Sequence, residues 1–220
     1  MIVAVFSDVH GNLPALEAFL ADVHDVADSY VCLGDTVNYG PWNDECLELV
    51  HALPGVVVLE GNHERLFRRG YGPELQNPLV EQFFRNSSRY FTRKDLITDL
   101  PRSAPLGPFI CSHTIGDQRI FPDTEVTLDR DRVIGHSHHQ FLRRSDDRLL
   151  INPGSVGQSR RPGTLDQAQF ALYDMSTDSW QLRSVRYDVH SFLTGLTGRG
   201  YPDACLQYLR SKLPPAENVP

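Results

Sequence analysis

Short apolar runs punctuate the chain at Ile2 to Phe6, Tyr30 to Leu33, Val56 to Leu59, Phe109 to Cys111, Val133-Ile134 and Leu149 to Ile151. Most are continuous rather than alternating, which predicts strands buried on both faces. Between the first two runs, Leu13, Leu16, Phe19, Leu20 and Val23 recur at helical spacing, with Asn12 placed to cap the first turn and Pro14 tolerated within it. The pattern is a β-α-β opening. After the second run, Asp44 to Leu53 sets Cys46, Leu47, Leu49 and Val50 on another amphipathic helix, so the first half reads as α/β. From Glu64 to about Leu100 the pattern changes to short polar helices, the best from Leu79 to Phe91, broken at Gly70-Tyr71-Gly72-Pro73 and at Pro78. This stretch reads as a helical excursion over the sheet. Further on, Phe170-Ala171-Leu172-Tyr173, a turn at Ser176-Thr177-Asp178, then Trp180, Leu182, Val185 and Tyr187 give a hairpin signal. A last helix follows Pro202, with Ala204, Cys205, Tyr208 and Leu209, and Pro214-Pro215-Ala216-Glu217-Asn218 reads as a frayed tail.

The length of 220 residues fits one domain spanning 1–220, with the excursion at about 64–100, and suffices for a real core. With 40% apolar and 22% charged residues, the chain is neither collagenous nor disordered nor disulfide-stapled. A formal net charge of -7 argues against a stable nucleic-acid complex or attachment to an acidic membrane, because counterion release needs clustered Lys and Arg. Any anionic substrate must be held locally. The opening apolar run lacks a basic flank and breaks at Ser7-Asp8, too short for a signal or membrane span, so a cytoplasmic location is expected. Cys32, Cys46, Cys111 and Cys205 form no Cys-x-x-Cys pair and read as reduced, buried thiols.

The candidate chemistry lies where polar residues meet strand ends. Asp8-Val9-His10 follows the first run, Gly34-Asp35 the second, Gly61-Asn62-His63 the third, Ser112-His113 the fourth and Gly135-His136-Ser137-His138 the fifth. In open α/β sheets ligands bind beyond the carboxyl ends of the strands, so these segments can converge on one site. Two Asp, one Asn oxygen and four His make a mixed donor set suited to Mn, Fe or Zn, too rich in imidazole for Ca or Mg. Seven ligands exceed one ion. Two ions sharing a bridging carboxylate fit that count, and such pairs activate water and clamp phosphate oxygens. Taken singly each piece has a plain reading: a strand-end cap for Asp-x-His, a turn for Gly-Asp, a turn for Gly-Asn-His. Their joint order and position give the set its force.

In that order, Asp-x-His, Gly-Asp, Gly-Asn-His-Glu, His and Gly-His-x-His over Asp8 to His138, the sequence resembles the calcineurin-like metallophosphoesterases, and most closely their small bacterial and archaeal members of phosphodiesterase type. Asn152-Pro153-Gly154-Ser155-Val156-Gly157 extends the likeness. The resemblance implies a four-layer α/β/β/α sandwich of two mixed sheets flanked by helices. It also implies that Asp8, His10 and His138 hold a first metal ion, that Asn62, His113 and His136 hold a second, that Asp35 bridges them and that His63 is catalytic. The cofactors expected are two divalent transition-metal ions, manganese first, with iron, zinc or nickel also suitable, and the activity is phosphoester hydrolysis by metal-activated water. The substrate expected is a small phosphoester, a nucleotide among the candidates, with a homo-oligomer open.

One departure bears on substrate choice. Protein phosphatases of the superfamily read Gly-Asp-x-x-Asp, the second Asp partnering the catalytic His, whereas this chain has Gly34-Asp35-Thr36-Val37-Asn38. Weaker support of an imidazolium favours a phosphodiester over a protein or nucleotide monoester; a non-catalytic metal-binding scaffold is the alternative from another class. Arg65, Arg68 and Arg69, like Arg160 and Arg161, read either as a solvated basic face or as phosphate ligands. Tyr39 and Trp42 either stack on a base or close the loop, His139 supports its neighbour, and His24, His51 and His190 read as surface residues.

Overall fold

The structure, a computed structural model, describes residues 1–71 and 77–215; the Gly72-Pro73 end of the expected break and the Ala216-Glu217-Asn218 end of the expected tail lie outside the described residues. Among the described residues, ten strands form two five-stranded mixed sheets flanked by helices. In the first sheet, β1 (Ile2–Phe6), β2 (Ser29–Cys32) and β3 (Val57–Val58) run parallel, and the hairpin β9 (Gln167–Asp174) and β10 (Ser179–Arg186) adds two antiparallel strands on the other side of β1. In the second, β5 (Phe109–Ser112), β6 (Arg132–Ile134) and β8 (Arg148–Asn152) are parallel, edged by antiparallel β4 (Ser103–Leu106) and β7 (Phe141–Ser145).

The continuous apolar runs are buried on both sides, as strands between two layers must be. Val3, Val5, Val31, Leu33 and Leu59 face Phe109, Cys111, Val133 and Ile151, joining sheet to sheet. From the opposite face Ala4, Phe6 and Cys32 pack against Leu16 and Phe19 of α1 (Leu13–Val23) and Cys46 of α2 (Asn43–His51). The Asn12 side chain caps α1 as expected, accepting from the Ala15 amide at 3.3 Å. On the outer face of the second sheet, Ile134, Phe141 and Leu150 are covered by Ile115, Ile120, Val126 and Leu128. The excursion consists of α3 (Asn62–Arg69), α4 (Pro78–Ser87) and two 3₁₀ turns at Ser88–Tyr90 and Lys94–Ile97, closed by a cluster of Val37, Leu47, Phe67 and Ile97.

Three elements escape the apolar pattern. β4 carries Pro105 on an exposed edge, β7 is the polar edge Phe141-Leu142-Arg143-Arg144-Ser145, and α5 (Val189–Gly198) is short, with β-branched residues and two glycines. The final helix, α6 (Asp203–Arg210), lies where Pro202 predicts it. All four cysteines are free and buried, and no helix among the described residues is long and apolar enough to cross a membrane.

Candidate metal centre

The parallel strands β1, β2, β3, β5 and β6 end at one edge, and each passes its polar segment into the same crevice. The chain there is bent sharply. Asp8, His10, Asp35, His136 and His138 all adopt φ between 53° and 67°, a left-handed region that costs about 1 kcal/mol or more per non-glycine residue. Strain of this kind persists only where the surroundings impose it. Part of that constraint comes from Asn152 to Gly157: the Ser155 hydroxyl and Gly157 amide donate to the Asp8 carbonyl at 2.7 and 3.0 Å, and Asn12 Nδ2 donates to the Gly157 carbonyl at 2.8 Å. A Cβ on Gly157 would lie 1.7 Å from the Val9 carbonyl oxygen, so only glycine permits this approach.

Seven of the eight site residues converge as three overlapping groups of mutually close donors: Asp8 with His10 and His138, His10 with Asp35 and His63, and Asp35 with His113 and His136. The eighth, Asn62, places Oδ1 3.1 Å from His113 Nε2. All are buried except Asn62 and His136, which are half-buried. His10 Nδ1 faces the Val37 carbonyl at 3.0 Å, His113 Nδ1 the Leu33 carbonyl at 3.0 Å and His138 Nδ1 the Gln158 carbonyl at 2.6 Å. A carbonyl only accepts, so Nδ1 carries the proton in each ring and Nε2 presents a lone pair. Those lone pairs point at one another and at carboxylates: His10 Nε2 is 3.1 Å from His138 Nε2, and His138 Nε2 is 3.2 Å from Asp8 Oδ1.

Asp8 Oδ1 and Asp35 Oδ2 are buried and make no acceptable hydrogen bond among the described residues, although Asp35 Oδ2 is 3.0 Å from His113 Nε2. Their sister oxygens are satisfied, Asp8 Oδ2 by the His136 amide at 3.1 Å and Asp35 Oδ1 by the His63 amide at 2.8 Å. Buried lone pairs facing buried lone pairs are repulsive unless a cation lies between them. The electrostatics agree. Burial opposes an imidazolium at His113, but the Asp35 carboxylate overrides it and raises that ring to about 9, so the position beside Asp35 Oδ2 calls for positive charge, either a second proton on Nε2 or a bound cation in its place. Burial likewise opposes the Asp35 charge, yet His113 and His63 hold that carboxyl well below its usual range. Where no such pairing dominates, burial prevails and lowers His136 to about 4 and His138 to about 3. The donor set therefore fits cations of the divalent transition series.

His63 differs from the other rings. The Ser87 hydroxyl donates to Asn38 Oδ1 at 2.7 Å, and Asn38 Nδ2 donates to His63 Nδ1 at 2.7 Å. Its Nδ1 is thus an acceptor, and the proton resides on Nε2, 3.8 Å from Asp35 Oδ2. Burial lowers His63 to about 3, against the pull of Asp35, and keeps the ring neutral. A ring protonated at Nε2 donates a hydrogen bond into the crevice rather than a lone pair. Tyr39 packs edge-on against His10 and His63, with ring centroids 4.9 and 5.2 Å apart. Trp42, by contrast, lies against Phe192 and over Gly195 of α5 and closes its loop.

Glu64 holds the crevice from behind. One buried carboxylate accepts from the Asp35 and Thr36 amides at 2.8 and 2.7 Å and reaches back to the Gly61 amide at 2.9 Å. It fixes the Asp35 loop and the start of α3 together. Glu64→Ala would strand four buried N–H groups, those of Asp35, Thr36, Val37 and Gly61, and we expect a loss of about 3 kcal/mol or more in denaturant unfolding. A loss under about 1 kcal/mol would contradict this role.

Among the basic residues, Arg65 and Arg68 are committed to buried Glu60, the former at 3.7 Å, with Arg102 also at 3.3 Å. His139 packs edge-on against Phe121, and its Nδ1 meets the Ser137 carbonyl, away from the cluster. His24 and His190 are exposed, whereas His51 is half-buried, a correction to its reading as a surface residue. Sequence reasoning missed Arg119, which borders the crevice, and Ser87, which sets Asn38. Neither carries a motif signal.

A family model described as calcineurin-like phosphoesterase matches residues 1–189. An uncharacterized protein of Methanocaldococcus jannaschii is 28% identical over 225 residues, covering 86% of this chain and 88% of its own. The crystal structure of a metallophosphoesterase from Sphaerobacter thermophilus superimposes with a TM-score of 0.80 at 25% identity, over 97% of this chain and 99% of that one. A hypothetical protein from Pyrococcus horikoshii shares the fold, with a TM-score of 0.78 at 18% identity, over 94% and 97% of the two chains. The chain belongs to the calcineurin-like phosphoesterase family.

Proposed function

We propose that this phosphoesterase is a binuclear metal-dependent hydrolase with a preference for phosphodiesters. Asp8, His10 and His138 would hold one divalent ion, Asn62, His113 and His136 the other, with Asp35 shared between them and manganese the ion of first choice. The single observation that carries this reading is the pair of buried oxygens without an acceptable hydrogen bond, Asp8 Oδ1 and Asp35 Oδ2, each beside imidazole nitrogens. When bound, such ions supply Lewis-acid charge to phosphate oxygens and lower the pKa of water.

The chain's own residues do the rest. His63 offers its Nε2–H to a phosphate oxygen or to the departing oxygen, and Asn38 keeps that proton in place. Tyr39, buried beside His10 and His63, excludes water from one side of the crevice. Asp35, through Oδ1, anchors the His63 amide and so holds the start of α3 at a fixed distance from the β2 loop. The neutral His63 supports the diester preference: a monoester dianion draws more on a charged imidazolium than a diester monoanion does, and Asn38 gives no carboxylate to sustain that charge.

The test is turnover of a phosphodiester and a phosphomonoester of the same chromogenic alcohol by one manganese-reconstituted preparation. A several-fold higher kcat/KM on the diester is expected. A monoester preference would transfer the reading to a phosphomonoesterase, and two bound metals with no turnover of either would favour a non-catalytic scaffold.

A further inference from the structure

The crevice opens into a cavity of about 330 Å³ whose floor is Asn62 and His63. Its cationic side chains are Arg65 and Arg69 of α3 and Arg119 from the segment between β5 and β6, and no acidic side chain among the described residues lines it. In a chain of net charge -7 this is a local reversal of sign that calls for an anion. Arg65 has Glu60 at 3.7 Å and Asp117 at 3.6 Å. Arg69 and Arg119 have no ion pair or hydrogen bond among the described residues, although Arg68, next to Arg69, is paired with Glu60.

The placement along α3 is systematic. Asn62, Arg65, Leu66 and Arg69 follow i, i+3, i+4, i+7 spacing and form one stripe. Arg69 starts about 10 Å along the helix from Asn62, and helical side chains lean toward the N-terminus, so its guanidinium reaches back over the cavity. That distance exceeds the span of one phosphate. Leu66, Val80 and Tyr39 add apolar surface to the same lining. We infer that Arg69 and Arg119 hold a second phosphate of the same substrate molecule, so that the substrates carry at least two phosphates, linked through ester or anhydride bonds. This rests on the phosphoesterase reading above. Nucleoside oligophosphates and bare phosphate chains share the required chemistry.

The experiment is calorimetric binding of orthophosphate, inorganic tripolyphosphate and ADP to manganese-loaded protein, for the wild type and for Arg69→Ala combined with Arg119→Ala. Both residues are exposed, so the variant should fold. The wild type should bind ADP, tripolyphosphate or both at least about tenfold more tightly than orthophosphate, as expected for charge-assisted hydrogen bonds to one further phosphate. In the double variant that preference should fall to threefold or less, roughly the loss of those bonds. Tighter ADP binding would place a nucleoside on the Leu66–Val80 surface; tighter tripolyphosphate binding would identify a bare chain. Equal affinity of the wild type for all three, or a preference that survives in the double variant, overturns the inference. Wild-type turnover of p-nitrophenyl phosphate and its diester, measured on the same preparation, tests the phosphoesterase reading separately, so either can fail alone.

Discussion

Asp35→Asn is expected to lose metal and rate together. Asp35 is the one carboxylate close to both halves of the donor set: it groups with His10 and His63 on one side and with His113 and His136 on the other. Its Oδ2 is buried without a hydrogen bond, and the amide would put a neutral group, or an N–H donor, in its place. Metal content by elemental analysis should fall from two ions per chain to one or fewer, and kcat/KM by more than about a hundredfold. Full occupancy with unchanged affinity would remove Asp35 from the bridging position. Because Asp35 Oδ1 also anchors the His63 amide, circular dichroism and a thermal midpoint must accompany the assay, to separate metal loss from unfolding.

His63→Ala should do the opposite, keeping both ions and losing turnover. The distinction lies in the hydrogen bond behind the ring. His10, His113 and His138 each direct Nδ1 at a carbonyl and so expose a lone pair at Nε2, whereas His63 accepts from Asn38 and exposes a proton. Removing a positioned donor of this kind costs roughly a hundredfold to ten-thousandfold in kcat. Activity within a few-fold of wild type would contradict the role, and loss of one metal ion would make His63 a ligand. Asn38→Asp provides the complementary test. A carboxylate there accepts from Nδ1–H and stabilises the imidazolium, so the pKa of His63 rises from its buried value of about 3 and the charged form persists to higher pH. The corresponding limb of the pH–rate profile should move in the alkaline direction, and an unmoved limb would contradict the relay from Ser87 through Asn38.

What could be read in the sequence follows from where strong local signals coincide with tertiary ones. β1, β2, β5, β6 and β8 are legible because strands buried between two layers must be apolar throughout, and the residues just beyond them are legible because chemistry collects at strand ends. Edge strands β4 and β7 escape because one side meets solvent, and Pro105 and the Arg143-Arg144 pair break the pattern there. α5 escapes because its stability comes from burying Phe192, Leu193 and Leu196, with Trp42 laid over Gly195, rather than from helix propensity.

At the site, residue identity announces His10, His113 and His138 but not the proton on Nδ1 of each ring. That is set by the Val37, Leu33 and Gln158 carbonyls, which any residue could supply. The choice between Arg65, Arg68 and Arg69 was equally invisible. Glu60, just beyond β3, pairs with Arg65 and Arg68 and leaves Arg69, which lines the cavity with Arg65, without an ion pair among the described residues.

The central claim is that the cluster of Asp8, His10, Asp35, Asn62, His113, His136 and His138 binds the ions on which phosphoester hydrolysis depends. The most direct measurement is the rate on a chromogenic phosphodiester of protein stripped with a chelator, during titration with manganese. The account predicts negligible turnover in the stripped protein, and recovery that saturates at two equivalents per chain. Turnover undiminished by removal of the metal, or two equivalents bound with no hydrolysis of any phosphoester offered, would contradict it.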